Sequence, residues 1–244
     1  MAAPRPLLLL TRPHASSEAF WAPLPEYPRD AVDILINPLL SIDVTGPLPN
    51  LNGVTGLIFT SANALDAYTA LGGEVLDIPV IAVGTATGNA ARRLGFDPDV
   101  AGGNAEQLVA HVLERGYTGP LLHLRGEIAI GDIAQTLTDA GVATRDAVLY
   151  RQELEPFTSA TREALSQDRP ILAPVFSPRT ARQLGRESTD FDSICFAAIS
   201  RAVAEALPSK AKGRTEIALK PDRDGMVELV TNMIADAVSL ERRV

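Results

Sequence analysis

The sequence predicts an α/β protein whose two halves repeat one strand–loop–helix plan. The 244 residues are 46% hydrophobic but only 5% aromatic, so a large core must be built mainly from Leu, Val, Ile and Ala. Short apolar runs alternate with longer amphipathic stretches, as in a doubly wound sheet. Four landmarks also recur in the same order at offsets of 113 to 121 residues. Function is expected between the halves.

The apolar runs come first at Leu7–Leu10, then at Leu57-Ile58-Phe59, Val80-Ile81-Ala82-Val83 and Leu121-Leu122-His123-Leu124. Ile171-Leu172 and Val175-Phe176 are weaker because Pro174 interrupts them. Ile194–Ile199 and Ile217-Ala218-Leu219 complete the series. Short runs without alternation fit strands buried on both faces of a parallel sheet.

Helical spacing follows most of these runs. Leu65, Tyr68 and Leu71 share one face of Ala62–Leu71. Ala90, Ala91 and Leu94 do so before Gly95, and Ile133, Leu137 and Ala140 before Gly141. Thr180–Leu184 and Ala202–Leu207 are shorter, the latter ended by Pro208. Met226, Leu229, Val230, Met233 and Ile234 line the last helix. Ile34–Leu40 and Ala147–Arg151 look extended and read as hinge or linker strands.

The repeated landmarks are specific residues. Phe59-Thr60-Ser61-Ala62 matches Phe176-Ser177-Pro178-Arg179, and Ala82-Val83-Gly84-Thr85 matches Ala198-Ile199-Ser200-Arg201. Leu10-Thr11-Arg12 matches the stretch at Leu124-Arg125-Gly126, and Gln107-Leu108-Val109 matches Glu228-Leu229-Val230.

Several function classes are disfavoured. A net charge of −8 repels phosphate backbones, so nucleic acid is not an expected partner. The run Leu7–Leu10 is too short to span a bilayer and lacks a signal-peptide layout, so the reading is a cytoplasmic protein off the membrane. Cys195 is the single cysteine and lies in an apolar run, which leaves no disulfide framework within the chain. GxGxxG after a strand, GxxxxGK[ST], GxSxG and HExxH are all absent, and His14, His111 and His123 lack metal-ligand spacing.

What remains is a set of small hydroxyl residues where parallel strands end, the usual ligand edge of such sheets. Thr60-Ser61, Thr85, Thr87, Ser177 and Ser200 all fall there. Helix N-capping accounts for them equally well, and the two roles are compatible because a helix N-terminus binds anions. Arg12 and Arg125 hold equivalent places after strands, suited to surface salt bridges or to carboxylates. Tyr150 ends an apolar run, suited to packing or to presenting its hydroxyl. His123 reads as a satisfied structural histidine.

Taken in order, these pieces resemble the uroporphyrinogen-III synthase family. The likeness runs from Leu9-Leu10-Thr11-Arg12-Pro13 through Pro38-Leu39-Leu40-Ser41-Ile42 to Gly56–Ala64. It continues in Ala82–Thr87, Leu122–Glu127, Val148-Leu149-Tyr150-Arg151, Phe176–Arg179 and Met226–Leu229, nearly the whole chain. The resemblance implies an α/β fold of two flavodoxin-like parallel-sheet lobes joined by a two-stranded antiparallel linker. One lobe would be residues 1–36 and 153–244, the other 41–147, with 37–40 and 148–152 as linker strands.

The resemblance also implies the chemistry. Hydroxymethylbilane would lose water and close to uroporphyrinogen III with ring D inverted through a spiro intermediate, in tetrapyrrole biosynthesis. No metal or organic cofactor is required. A monomer making transient contact with hydroxymethylbilane synthase is the expected state. Tyr150 would assist departure of hydroxide. Thr60, Ser61, Thr85, Ala86, Thr87, Ser177 and Ser200 would form binding loops, with Arg12, Ala62, Arg125, Gly126 and Arg201 completing the substrate-binding set. Ser200-Arg201-Ala202-Val203 lacks the family's loop threonine, and Ile128–Asp132 lacks an arginine often found there. The competing expectation is a non-catalytic two-lobed binding or regulatory protein of the same architecture.

Overall fold

A computed structural model describes residues 5–129, 131–188 and 191–241; Ile130, within one of the segments compared above, lies outside them. The first strand and helices are β1 (Leu7–Leu10), α1 (His14–Trp21) and the single turn α2 (Glu26–Arg29). β2 (Asp33–Ile36), β3 (Leu40–Val44), β4 (Gly56–Phe59), α3 (Ala62–Ala70), β5 (Val80–Ala82) and α4 (Thr85–Arg93) follow. Next come β6 (Pro98–Val100), α5 (Ala105–Glu114), β7 (Leu121–Gly126), α6 (Ile133–Asp139), β8 (Thr144–Leu154) and α7 (Ser159–Leu165). The chain ends with β9 (Ile171–Val175), α8 (Pro178–Glu187), β10 (Ile194–Ala198), α9 (Arg201–Ala206), a 3₁₀ turn, β11 (Thr215–Ile217) and α10 (Arg223–Glu241).

Two compact units result: Met1–Ser41 with Leu154–Val244, and Ile42–Glu153. In the first, the strand order is β11-β10-β9-β1-β2, with parallel neighbours throughout. Counted within the unit this is the flavodoxin-like order. Residues along each strand alternate between two cores. Leu7, Leu9, Ala173, Val175 and Phe196 pack with Ala181, Leu184 and Val203 of α8 and α9. Leu8, Leu10, Leu172 and Ala197 pack with Phe20 of α1 and Met226 and Val230 of α10.

The second unit has the order β3-β8-β7-β4-β5-β6. Leu57, Phe59, Leu122 and Leu124 face α3 and α4 through Leu65, Tyr68, Ala90 and Ala91. Ile58, Ile81 and Leu121 face α5 and α6 through Leu108, Val112, Ile133 and Leu137. The β7–β8 register slips by one residue, so that Gly126 pairs with Tyr150 rather than Leu149.

Three readings need correction. Ile34–Leu40 is not one extended segment: β2 pairs in parallel with β1, the chain breaks at Asn37-Pro38, and β3 joins the other sheet. Pro38 lacks the N–H that a continuous ladder would use. Pro174, in contrast, does not interrupt β9, which runs from Ile171 to Val175. Its missing N–H lies on the β1 side, where registered pairing has already stopped at Leu172. Leu219 is 93% exposed beyond the end of β11, so the run Ile217-Ala218-Leu219 is not a buried strand.

The break at Asn37 is held by a compact polar knot. The buried Asn37 Oδ1 accepts from the Thr158 N–H at 2.8 Å and the Thr161 hydroxyl at 2.5 Å, while Nδ2 donates to the Pro38 carbonyl at 3.1 Å. Asn37→Ala strands these groups without water, and a buried group left unsatisfied costs ~1–3 kcal/mol. A loss of about 2–3 kcal/mol is expected in urea unfolding; a shift under about 0.5 kcal/mol would show that water takes the place of the amide.

Candidate active site

Ligands of open α/β sheets bind at the carboxyl ends of strands where the strand order reverses. In the second unit that point is between β4 and β7, and a pocket of about 310 Å³ lies there. Thr60 and Ser61 enter it from the end of β4, His123, Arg125 and Gly126 from β7, and Tyr150 from β8. Val83, Ala105 and Ile133 give it apolar walls.

Local sequence explains these placements. The polar residues of β7, His123 and Arg125, are two apart and so share one face. Ile58 is the registered neighbour of His123 on β4, which puts Thr60, two residues on, on that same face. Ser61 is extended and caps α3, its hydroxyl accepting from the Ala64 N–H at 3.2 Å. Ser61 Oγ also lies 2.9 Å from the Tyr150 hydroxyl. The bulge in β8 re-aims Tyr150 toward that partner. Gly126 makes room for it: a Cβ there would stand 2.6 Å from Tyr150 Cζ.

A second chain of contacts runs behind the wall. His123 is 2% exposed, with Nδ1 2.9 Å from Asp146 Oδ1 and Nε2 3.1 Å from Thr60 Oγ1. Asp146 is the registered neighbour of His123 on β8, and its other oxygen is 3.1 Å from Arg125 Nε. Arg125 also donates to the Gly126 and Glu127 carbonyls. Burial pushes the His123 imidazolium below its ordinary pKa of 6.5, Asp146 opposes this and Arg125 adds to it.

In the first unit the corresponding reversal lies between β1 and β9. Arg12 sits there with its guanidinium 4.4 Å from the centre of the Phe176 ring. Burial and the charge of Arg223 lower its pKa from the usual arginine value. Ser177 caps α8, accepting from the Thr180 N–H at 3.1 Å. Ser200 precedes α9 without such a cap bond, and Arg201 is exposed on a shallow groove with Lys212 and Ile217.

The structure thus brings Thr60, Ser61, Arg125, Gly126 and Tyr150 into one pocket. Ala62 opens α3 next to Ser61. Thr85 and Ala86 are in the first turn of α4, Thr87 is buried there, and none of the three lines the pocket. Sequence reasoning missed Asp146, while His123 is buried with both ring nitrogens partnered, as a satisfied structural histidine would be. The alternation His123-Leu124-Arg125 in an otherwise apolar run was the available signal. Among the described residues no group of three His, Cys, Asp or Glu side chains could hold a metal ion, and no helix is long and apolar enough to cross a membrane.

Comparison with known proteins gives a match between residues 34–228 and the family model for uroporphyrinogen-III synthase HemD. The structure is similar to a uroporphyrinogen-III synthetase from Helicobacter pylori, with 19% identity and a TM-score of 0.67 over 94% of this chain and 99% of that one. It is also similar to a mutant uroporphyrinogen III synthase from the extremely thermophilic bacterium Thermus thermophilus, with 14% identity and a TM-score of 0.54 over the same shares. At these identities the structural likeness is one of fold. No curated protein matches the sequence.

Proposed function

The chain belongs to the uroporphyrinogen-III synthase family, the cyclising lyases of tetrapyrrole synthesis, and from that premise we propose that the pocket of its second unit is where hydroxide leaves the substrate. The observation that carries this reading is the hydroxyl pair Ser61–Tyr150, 2.9 Å apart on the pocket wall.

Hydroxymethylbilane ends in a hydroxymethyl group on ring A. When its C–O bond breaks, the electron pair leaves with oxygen, which takes a proton from the Tyr150 hydroxyl and departs as water. Ser61 then donates to the Tyr150 oxygen. The N-terminus of α3, at Ser61, favours the negative charge growing there. The azafulvenium cation left on ring A, its N–H retained, is attacked by the substituted carbon of ring D, giving a spiro centre that fragments and recloses with ring D inverted. The proton shed by ring D on the final rearomatisation restores Tyr150. Holding the chain so that the hindered carbon reacts first is the main catalytic demand.

The substrate is rich in carboxylates. Thr85, Ala86 and Thr87 at α4, Ser177 at α8, Ser200 and Arg201 at α9, and Arg12 over Phe176 are proposed to take them through hydroxyls, N–H groups and guanidinium charge. Because the substrate closes spontaneously to the type I isomer, a transient contact with hydroxymethylbilane synthase, in the cytoplasm and with this protein as a monomer, completes the reading.

The test couples the protein to a source of hydroxymethylbilane and separates the isomers chromatographically. The type III macrocycle is the expected product. Accumulation of type I alone would reject the lyase reading.

A further inference from the structure

We propose that His123, paired with Asp146, is a positioning residue that holds the Thr60 hydroxyl as a hydrogen-bond acceptor facing the pocket, where it takes the N–H of the substrate's hydroxymethyl-bearing pyrrole. The proposal rests on the lyase reading and assigns the ring's polar contact within it.

The direction of each hydrogen bond follows from the partners. Asp146 is ion-paired with Arg125 at 3.1 Å, and a carboxylate only accepts. The 2.9 Å contact with Nδ1 therefore requires the imidazole proton on Nδ1. A neutral ring then presents a bare lone pair at Nε2, and the Thr60 hydroxyl, 3.1 Å away, must donate to it. A hydroxyl has one proton and two lone pairs, so Thr60 can only accept from whatever enters the pocket it lines.

The surroundings favour the neutral ring. His123 is buried, and α5 and α6 cover its face of the sheet with apolar residues, Leu108, Ile133 and Leu137 among them. The charged groups facing it are Asp146 on β8, Arg125 on β7 and Asp132 just before α6. The balance keeps the ring uncharged at neutral pH.

This polarity matches what ring A does. As the C–O bond breaks, the ring nitrogen supplies the electron density that leaves with oxygen, and its N–H becomes cationic. A hydrogen bond from a charged donor is roughly twice as strong as one from a neutral donor. Thr60 thus stabilises the transition state more than the bound substrate. If His123 is protonated, Nε2 becomes a donor. Thr60 must then accept from it, which frees its own proton to swing toward the pyrrole N–H and oppose ionisation.

Three measurements test this on the full chain. Long-range ¹⁵N NMR of the His123 ring at neutral pH should show the proton on Nδ1 and a bare Nε2; a proton on Nε2 would overturn the proposal. In the coupled assay, Thr60→Val should lower kcat about 10- to 100-fold with little change in KM, whereas Thr60→Ser should recover most of the loss. The kcat of the native protein should fall as pH drops through the His123 titration, and Thr60→Val should abolish that acid limb. Turnover by Thr60→Val at the native rate, or the same acid limb in both proteins, would also overturn it. Should Thr60→Val not fold, Thr60→Ala serves the same comparison. Production of the type III isomer by the native protein judges the lyase reading separately, whichever way Thr60 falls.

Discussion

Tyr150→Phe is expected to lower turnover by about 10²-fold while the fold persists, the scale of losing one positioned proton donor. The ring stays, so its contacts with the core of the second unit stay. Only the hydroxyl and its bond to Ser61 are lost. Ser61 keeps its cap bond from the Ala64 N–H, so no buried group is abandoned there. Net stability should therefore change by no more than ~1 kcal/mol. Initial rates in the coupled assay, set beside thermal melts of both proteins, give the comparison. Native turnover in the phenylalanine variant would remove Tyr150 from the mechanism.

Gly126→Ala should be about as damaging to turnover, by a different route. The added Cβ would stand 2.6 Å from Tyr150 Cζ, 2.8 Å from Cε2 and 2.9 Å from the hydroxyl oxygen. The ring must move, because the backbone of Tyr150 is held in place by the bond from the Glu127 N–H to its carbonyl at 2.9 Å. Overpacking of this kind costs ~1–3 kcal/mol. It also pulls the hydroxyl away from Ser61, so about 10²-fold in turnover should go with it. The double variant Gly126→Ala, Tyr150→Phe separates the causes. If alanine acts through the hydroxyl, the double variant turns over no more slowly than the phenylalanine variant alone. Losses that multiply would mean Gly126 has a separate role.

Much of the fold is legible in the sequence because buried parallel strands leave short, continuous apolar runs. Leu7–Leu10, Leu57-Ile58-Phe59 and Ile194–Ala198 are all strands of the two sheets. The misreadings have local causes. Pro174 signals a break only if its N–H is needed, and which neighbour a given N–H faces is set by sheet order. Leu219 looks like core because hydropathy does not say where a strand stops. At the pocket, Thr60, Ser61 and Tyr150 are visible as hydroxyls at strand ends. The pairing of His123 with Asp146 is not, since it arises from the β7–β8 register across 23 residues. The bulge that turns Tyr150 toward Ser61 leaves no compositional mark either.

In the first unit β1 is an interior strand, flanked by β2 and β9. Leu7 pairs with Ile171. A ribosome adding about 5–20 residues per second needs roughly 10–30 s to make the intervening chain. During that interval every strand of the second unit has been synthesised, while Leu7–Leu10 wait without their partner on one side. The nascent protein therefore completes its inner segment first, and its apolar leading strand is the stretch most in need of chaperone cover until β9 arrives.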